Sequence, residues 1–456
     1  MRVKKIMKNL KQLDQKYVWH PFTQMRDWTD DEVLIIDQAE DCYLIDTEGR
    51  RYIDGVSSLW CNVHGHRKGK INQAIKDQLD RVAHSTFLGL SNVPAILLAE
   101  RLIQIAPKGL TRVFYSDSGS TAMEIALKMA YQYWQQRRDP RPKKRKFVHL
   151  ELAYHGDTIG SVSVGGINLF HEIYEPLLFQ TFSAFSPYCY RCKFDKKRES
   201  CKRECFEELE EVVRKHHEEL VAIVIEPLMQ GAAGMMDQPA GYLSKVRELA
   251  DRYDLLLICD EVATGFGRTG KMFACDHESV TPDIMAIAKG ITGGYLPLAA
   301  TLVKEKIYEA FLGDYGEFKT FFHGHTYTAN PLACAAALAN LDVFDEEKTL
   351  AGLEPKIQLM KERLEKIRKL NHVGDVRQVG FMAGIELVKD TATKEAYDLT
   401  EKRGIRVCQL AREFGVILRP LGNVIVLMPP LAISENVLGQ LLDVVETCIH
   451  KVCSEK

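Results

Sequence analysis

Lys289 stands where an apolar run gives way to glycines, in DIMAIAKGITGG (283–294). A lysine that ends a strand ordinarily carries its ammonium out into water. The other use of such a residue is as an amine held in a partly desolvated pocket, able to form an imine with a carbonyl cofactor. Neighbouring motifs bear on the choice. The run LLLIC (255–259) leads directly into Asp260 and Glu261, so a carboxylate arrives at a strand end. Beside a pyridine nitrogen it would keep the ring protonated and make it an electron sink; an Asp there is otherwise a common turn residue.

Further groups suit the same kind of ligand. SDSGSTAMEIALKMA follows the strand-like RVFYS, placing Ser118, Gly119 and Ser120 at a helix start and Glu124 in its first turns. Free N–H groups at the positive end of a helix, with small hydroxyl residues, suit a phosphate ester, although an ordinary N-cap would look the same. Tyr154 in AYHGDT could stack on a flat heterocycle, Glu226 and Pro227 end VAIVI, and Thr326 in HGHTYTANP offers a hydroxyl before a helix. Gly265, Gly267 and Gly270 spell G-x-G-x-x-G, but no strand–turn–helix context surrounds them, so a nicotinamide site is set aside. The pairs His64/His66 and His323/His325 lack a carboxylate or thiol partner in sequence and are read as structural.

These residues need a scaffold that collects strand ends. Candidate strands at 112–116, 146–150, 221–225, 255–259, 284–288 and 298–303 alternate with amphipathic patterns at 120–137, 206–218 and 241–253. The alternation predicts an α/β fold with a mainly parallel sheet and a ligand at the C-terminal strand ends. Beyond about residue 329 the pattern shifts to helices near 329–345, 355–369, 401–414 and 434–450 with short strands at FMAGIEL and VIVLMPP, a smaller α+β lobe. The N-terminal stretch, with a turn at Glu48-Gly49, is expected to join that lobe. The expected division is 66–328 for the large domain and 1–65 with 329–456 for the small one, and the basic RRDPRPKKRK (137–146) is read as a solvated loop.

Composition bounds the partners. The 456 residues are 46% apolar and 27% charged, and 60 Lys plus Arg nearly balance 62 Asp plus Glu, so no field favours nucleic acid or an anionic membrane. No apolar run reaches bilayer-spanning length and no secretory leader is evident, which points to the cytoplasm. Most of the twelve cysteines sit in apolar stretches as reduced thiols. Cys189, Cys192, Cys201 and Cys205 cluster instead with C-x2-C-x8-C-x3-C spacing, which four zinc ligands could satisfy. A thiol-bearing surface loop is the reading adopted, and no metal is assigned to the chemistry.

In this order, SDSGS, AYHGDT, VIEP, CDEVATGFGRTG, AIAKGITGG and HGHTYTANP resemble the class III aminotransferases of pyridoxal phosphate fold type I, from about Tyr17 to Pro430. The resemblance implies pyridoxal 5'-phosphate as cofactor, with Lys289 as Schiff-base lysine, Asp260 on the pyridinium, Tyr154 against the ring, and Gly119, Ser120, His325 and Thr326 around the phosphate. It implies a homodimer, since the family's phosphate-binding threonine comes from the partner subunit. YVWHPFTQM, SSLWCNVHGH and LRPLG are similar to the branch that aminates 8-amino-7-oxononanoate in biotin synthesis, with S-adenosylmethionine as the usual donor and lysine in some relatives. That branch implies Trp60, Phe22, Gly324 and Arg419 in the substrate site, the arginine reading a carboxylate, with Arg268 and Asp157 nearby. Some members carry Tyr where this chain has Phe22, and Pro where it has His325. Other class III enzymes acting on ω-amino acids or ornithine are the alternative.

Overall fold

The computed structural model describes residues 2–30 and 33–454. Its centre is a seven-stranded sheet of β1 (Leu110–Ser116), β2 (Lys146–Leu150), β3 (Phe182–Ala184), β4 (Leu220–Ile225), β5 (Leu256–Asp260), β6 (Ile284–Ile287) and β7 (Ala299–Lys304). The spatial order is β1-β7-β6-β5-β4-β2-β3. β7 alone runs antiparallel to its neighbours. Six strands and the covering helices lie where the hydrophobic period places them. The three-residue edge strand β3 is too short to carry a period and was not expected from the sequence.

The strands are apolar on both sides because both faces are covered. Leu256 and Ile258 face the helix Gly119–Gln136, packing with its Met123, Ala126 and Trp134. Leu257 and Cys259 face the opposite way, onto helices Glu204–His216 and Tyr242–Arg252 through Leu209, Val213, Leu243 and Val246. Helix Gly119–Gln136 starts where it does because Ser118 caps it: its Oγ accepts from Thr121 N–H and its N–H donates to Thr121 Oγ1. Such reciprocal caps contribute about 1 kcal/mol.

Among the described residues two smaller sheets, and a two-stranded ribbon of Met229–Gln230 with Met236–Asp237, lie outside this layer. One joins strands Ile36–Glu40, Tyr43–Asp46 and Arg51–Asp54 to Val416–Ile417, so the N-terminal stretch pairs with the C-terminal part of the chain. The other is five-stranded: Val373–Val379, Met382–Asp390, Arg419–Leu421 and Val424–Leu427, with Glu395–Ala396 pairing onto Met382–Asp390. The largest apolar cluster joins Leu98, Phe266 and Ile287 to Leu364, Ile425 and Leu441, so the two parts share one core. Among the described residues no helix is long and apolar enough to cross a membrane.

The basic stretch is mostly exposed, with one exception. Lys144 is buried, its Nζ donating to the carbonyls of His217 and Leu220, and burial pushes its amine down to about 8. Here two backbone acceptors stand in for the water the sequence pattern would have assigned to it.

Candidate active site

The C-terminal ends of β1, β2, β4, β5 and β6 open on one cavity of about 730 Å³. Trp60, Gly119, Ser120, Tyr154, Asp157, Asp260 and Lys289 line it, brought together from segments more than 200 residues apart. Lys289 follows β6 after the single residue Ala288, in a left-handed backbone conformation (φ 46°). Its Nζ lies 5.3 Å from the centre of the Trp60 ring. Among the described residues no hydrogen bond or ion pair holds that Nζ. Burial lowers its affinity for a proton, against the opposing pull of Asp260 and Glu226, and the net shift is downward. An amine so placed is closer to the neutral, nucleophilic form than one in water.

Asp260 ends β5, is only 5% exposed, and is held from both sides. Its Oδ1 accepts from Val262 N–H at 3.0 Å, and its Oδ2 is 2.7 Å from His155 Nδ1. Burial alone would drive His155 neutral, but the Asp260 carboxylate outweighs it and raises its basicity. Glu226 lies behind, accepting from the N–H groups of Tyr154 and Gly231. Burial pushes its carboxyl up to about 7.

Trp60 reaches the cavity on an unusual backbone. Ser57, Ser58, Leu59 and Trp60 all have positive φ, a costly run for residues with side chains. Asp54 holds it by accepting from Ser58 N–H and Oγ–H, while Ser57 Oγ–H donates to the Met428 carbonyl. Tyr154 is oriented by its phenol, which donates to Asp157 Oδ2 at 2.7 Å.

The residues present fit pyridoxal 5'-phosphate. An unpaired amine is available for the aldehyde, and a buried carboxylate on a His partner for the ring nitrogen. For the phosphate there is a helix N-terminus with Ser120 beside it, whose Oγ already accepts from Thr158 N–H. Gly119 is required at that terminus: a Cβ there would come 2.5 Å from Val262 Cγ1. Gly156, at φ 120°, could not carry a side chain without striking Ser120.

Six expected residues do not line the cavity. Arg419 lies next to it, near enough to Tyr154 that each charge bears on the other, and no hydrogen bond or ion pair engages its guanidinium among the described residues. Phe22 is exposed and meets Phe170 edge-on at 5.4 Å. Gly324, His325 and Thr326 belong to the loop after β7, where Thr326 is exposed and His325 Nδ1 is 2.7 Å from Asp117 Oδ2. Arg268 is buried with its guanidinium spent on the carbonyls of Pro429 and Asn62, at 2.8 and 2.7 Å. Those two bonds, from Nη1 and Nη2, tie together two chain segments beside the site. Sequence reasoning passed over His155, although AYHGDT contains it next to Tyr154, and gave Glu226 no role. His64 and His66 bond the Asn340 carbonyl and Asp54, as structural histidines do.

The chain is similar to known proteins over nearly its whole length. It is 55% identical to adenosylmethionine-8-amino-7-oxononanoate aminotransferase of Geobacter sulfurreducens, over 97% of this chain and 98% of that protein. The crystal structure of adenosylmethionine-8-amino-7-oxononanoate aminotransferase from Methanocaldococcus jannaschii superposes with a TM-score of 0.93 at 48% identity, covering 98% of this chain and 99% of that one. An (S)-enantioselective omega-transaminase from Thermomicrobium roseum gives a TM-score of 0.92 at 33% identity, covering 98% of both. The profile described as Aminotransferase class-III matches residues 25–449, which takes in both walls of the cavity, and the chain belongs to that family.

Proposed function

We propose that this protein transfers an amino group to 8-amino-7-oxononanoate, giving 7,8-diaminononanoate for biotin synthesis, with S-adenosylmethionine as donor. The observation that carries the reaction type is the unpaired Lys289 amine beside the Asp260–His155 pair in one cavity. The substrate rests on relatives of that name at 55% identity across the full length.

Pyridoxal phosphate, when bound, supplies an aldehyde that takes up the amino group and a ring that accepts electrons. The chain does the rest. Asp260, oriented by His155 Nδ1 at 2.7 Å, would face the ring nitrogen and hold a proton there. Lys289 Nζ takes the proton from the donor's amine-bearing carbon and returns it on the other side of the half-reaction, so one base serves both directions. Gly119 and Ser120 N–H groups anchor the phosphate. Tyr154 and Val262, both lining the cavity, would offer an aromatic ring and an apolar side chain to the flat ring of the cofactor.

Both substrates must use one site in turn. Trp60 gives an apolar wall for the alkyl chain, and Arg419, uncommitted at the edge, reads the distal carboxylate of the keto acid. Thr326 completes the phosphate site of a second copy, making the working unit a homodimer. Two features support this: Thr326 is exposed on its own chain, and Leu88, Phe322 and Tyr327 expose apolar surface beside its loop.

Steady-state assay of the purified protein with 8-amino-7-oxononanoate and a panel of donors tests the reading. The expected result is diaminononanoate formation with S-adenosylmethionine well above that with lysine. A higher rate with lysine would reassign the donor. Activity only on ω-amino acids or ornithine would remove the substrate assignment and leave the chain with the general chemistry of the class.

A further inference from the structure

The segment from Phe185 to Arg203 joins β3 to helix Glu204–His216 without regular secondary structure, and it carries little that could build a core. Between Cys189 and Cys205 it has seven Lys and Arg against three Asp and Glu. A connection this long and this charged ordinarily moves freely or is held by something other than apolar packing.

It is nevertheless a bridge. On one side Tyr188 donates its phenol to Glu386, and Arg191 Nε donates to Glu386 at 3.0 Å, on the five-stranded sheet. On the other, Arg198 donates to Asp237 and to the Gln238 carbonyl, and Arg203 donates to the Ala240 carbonyl at 2.8 Å. Gln238 in turn donates to the Glu226 carbonyl, at the end of β4 on the cavity wall.

At the middle of this bridge the chain gathers sulfur. Cys189 and Cys192 flank a tight turn, and the Cys192 carbonyl accepts from Asp195 N–H. Cys201 closes a second turn, its N–H donating to the Lys197 carbonyl at 2.9 Å. Cys205 is the second residue of the following helix. All four line one small cavity of about 20 Å³, together with Arg198 and Pro239. Cys192 and Cys201 bear electrostatically on Cys189, and all three on Cys205. That volume accommodates a single ion or water and no larger ligand.

We propose that Cys189, Cys192, Cys201 and Cys205 form a tetrathiolate zinc site that staples this loop between the cavity wall and the five-stranded sheet. Three points bear on the assignment of zinc. A C-x2-C pair on a tight turn and a second pair ending on a helix are what bring four sulfurs around a point. Zinc needs Zn–S bonds of about 2.3 Å, hence sulfurs roughly 3.8 Å apart. As the side chains lie, no three such ligands among the described residues stand close enough together to hold a metal. Cys189 and Cys201 make only weak contacts elsewhere, to the carbonyls of Pro187 and Arg198 at 3.6 and 3.7 Å, so binding would cost them no strong hydrogen bond. Third, four thiolates around one zinc carry a net charge of −2, which the surplus of loop cations offsets. Binding releases four protons to solvent, and nothing is oxidised or reduced.

The test does not depend on the transaminase reading. The full-length protein, grown with zinc and purified anaerobically without chelator, is analysed for metal by plasma mass spectrometry. The expected content is about one zinc per chain, released by a thiol-blocking mercurial, and falling to background in Cys192→Ser and Cys205→Ser. Cobalt supplied in place of zinc is expected to give the absorption of tetrahedral cobalt thiolate, which needs no variant to fold. Zinc at background in the unsubstituted chain, undiminished zinc in both variants, or intact-mass evidence that these cysteines are paired as disulfides overturns the proposal.

Discussion

Replacing Lys289 with alanine removes the one amine in the cavity while leaving Asp260, His155 and Ser120 with their present partners. Because the lost group is both the covalent anchor and the proton carrier, the transamination rate is expected to fall by on the order of 10⁴-fold or more. Borohydride treatment of the cofactor-loaded protein followed by peptide mapping supplies the second readout: label at position 289 in the unsubstituted chain and none in Lys289→Ala. A rate within tenfold of the original in that variant would refute the assigned role. At this scale legibility follows a simple physical line. Asp260, Lys289, Gly119 and Ser120 were readable because each polar or small residue interrupts an apolar run, a local signal. His155 was not, because what gives it a purpose is a carboxylate 105 residues away. Arg268 was placed near the substrate by resemblance alone, and its bonds to backbone carbonyls of two distant segments leave no local signal either.

Among the elements, β6 matters most, since it ends one residue before Lys289, and its start is fixed by a charge. Asp283 is fully buried and receives Arg247, Lys304 and Lys306 at 2.8, 3.2 and 2.7 Å, while its second oxygen also accepts from Leu257 N–H on β5. Burial alone would raise its carboxyl, but the three cations prevail and hold it well below the usual carboxylate range. Asp283→Asn leaves those cations facing a neutral amide, at an expected cost of about 3 kcal/mol, discounted because Lys306 is half exposed. The check is a urea midpoint at neutral pH. The sign with pH is fixed: a depressed carboxyl stabilises above its unfolded value of about 3.9, and that contribution is lost as pH falls through the folded value. The gap between the two proteins is therefore expected to narrow in acid, and a gap that widened would contradict the charge argument. The strands and helices of the large layer were legible because two-sided burial leaves long apolar runs. β3 was hidden, being three residues at a sheet edge, and Lys144 looked solvated because backbone acceptors leave no trace in composition.

For the whole molecule, the expected partner subunit is where the sequence and a single chain both fall short. Leu88, Tyr327 and Phe322 are 69%, 61% and 73% exposed, and they neighbour Thr326 on a surface where the His84 and Tyr327 rings lie 4.8 Å apart, tilted by 49°. A patch of this kind is costly to leave in water, and a second copy placed over it by a two-fold axis would bury it while carrying Thr326 into the opposite cavity. The consequence can be tested by complementation. Thr326→Asp sets a carboxylate against the phosphate and is expected to be nearly inactive, as is Lys289→Ala. If each site draws lysine from one chain and threonine from the other, a mixed dimer has one site with both defects and one with neither. Random pairing after co-expression makes half the dimers mixed, so about a quarter of the original activity should return. Were both residues used within one chain, every site in the mixture would carry exactly one defect and no activity would return; sedimentation of the same preparation, giving twice the chain mass, separates that outcome from a failure to associate.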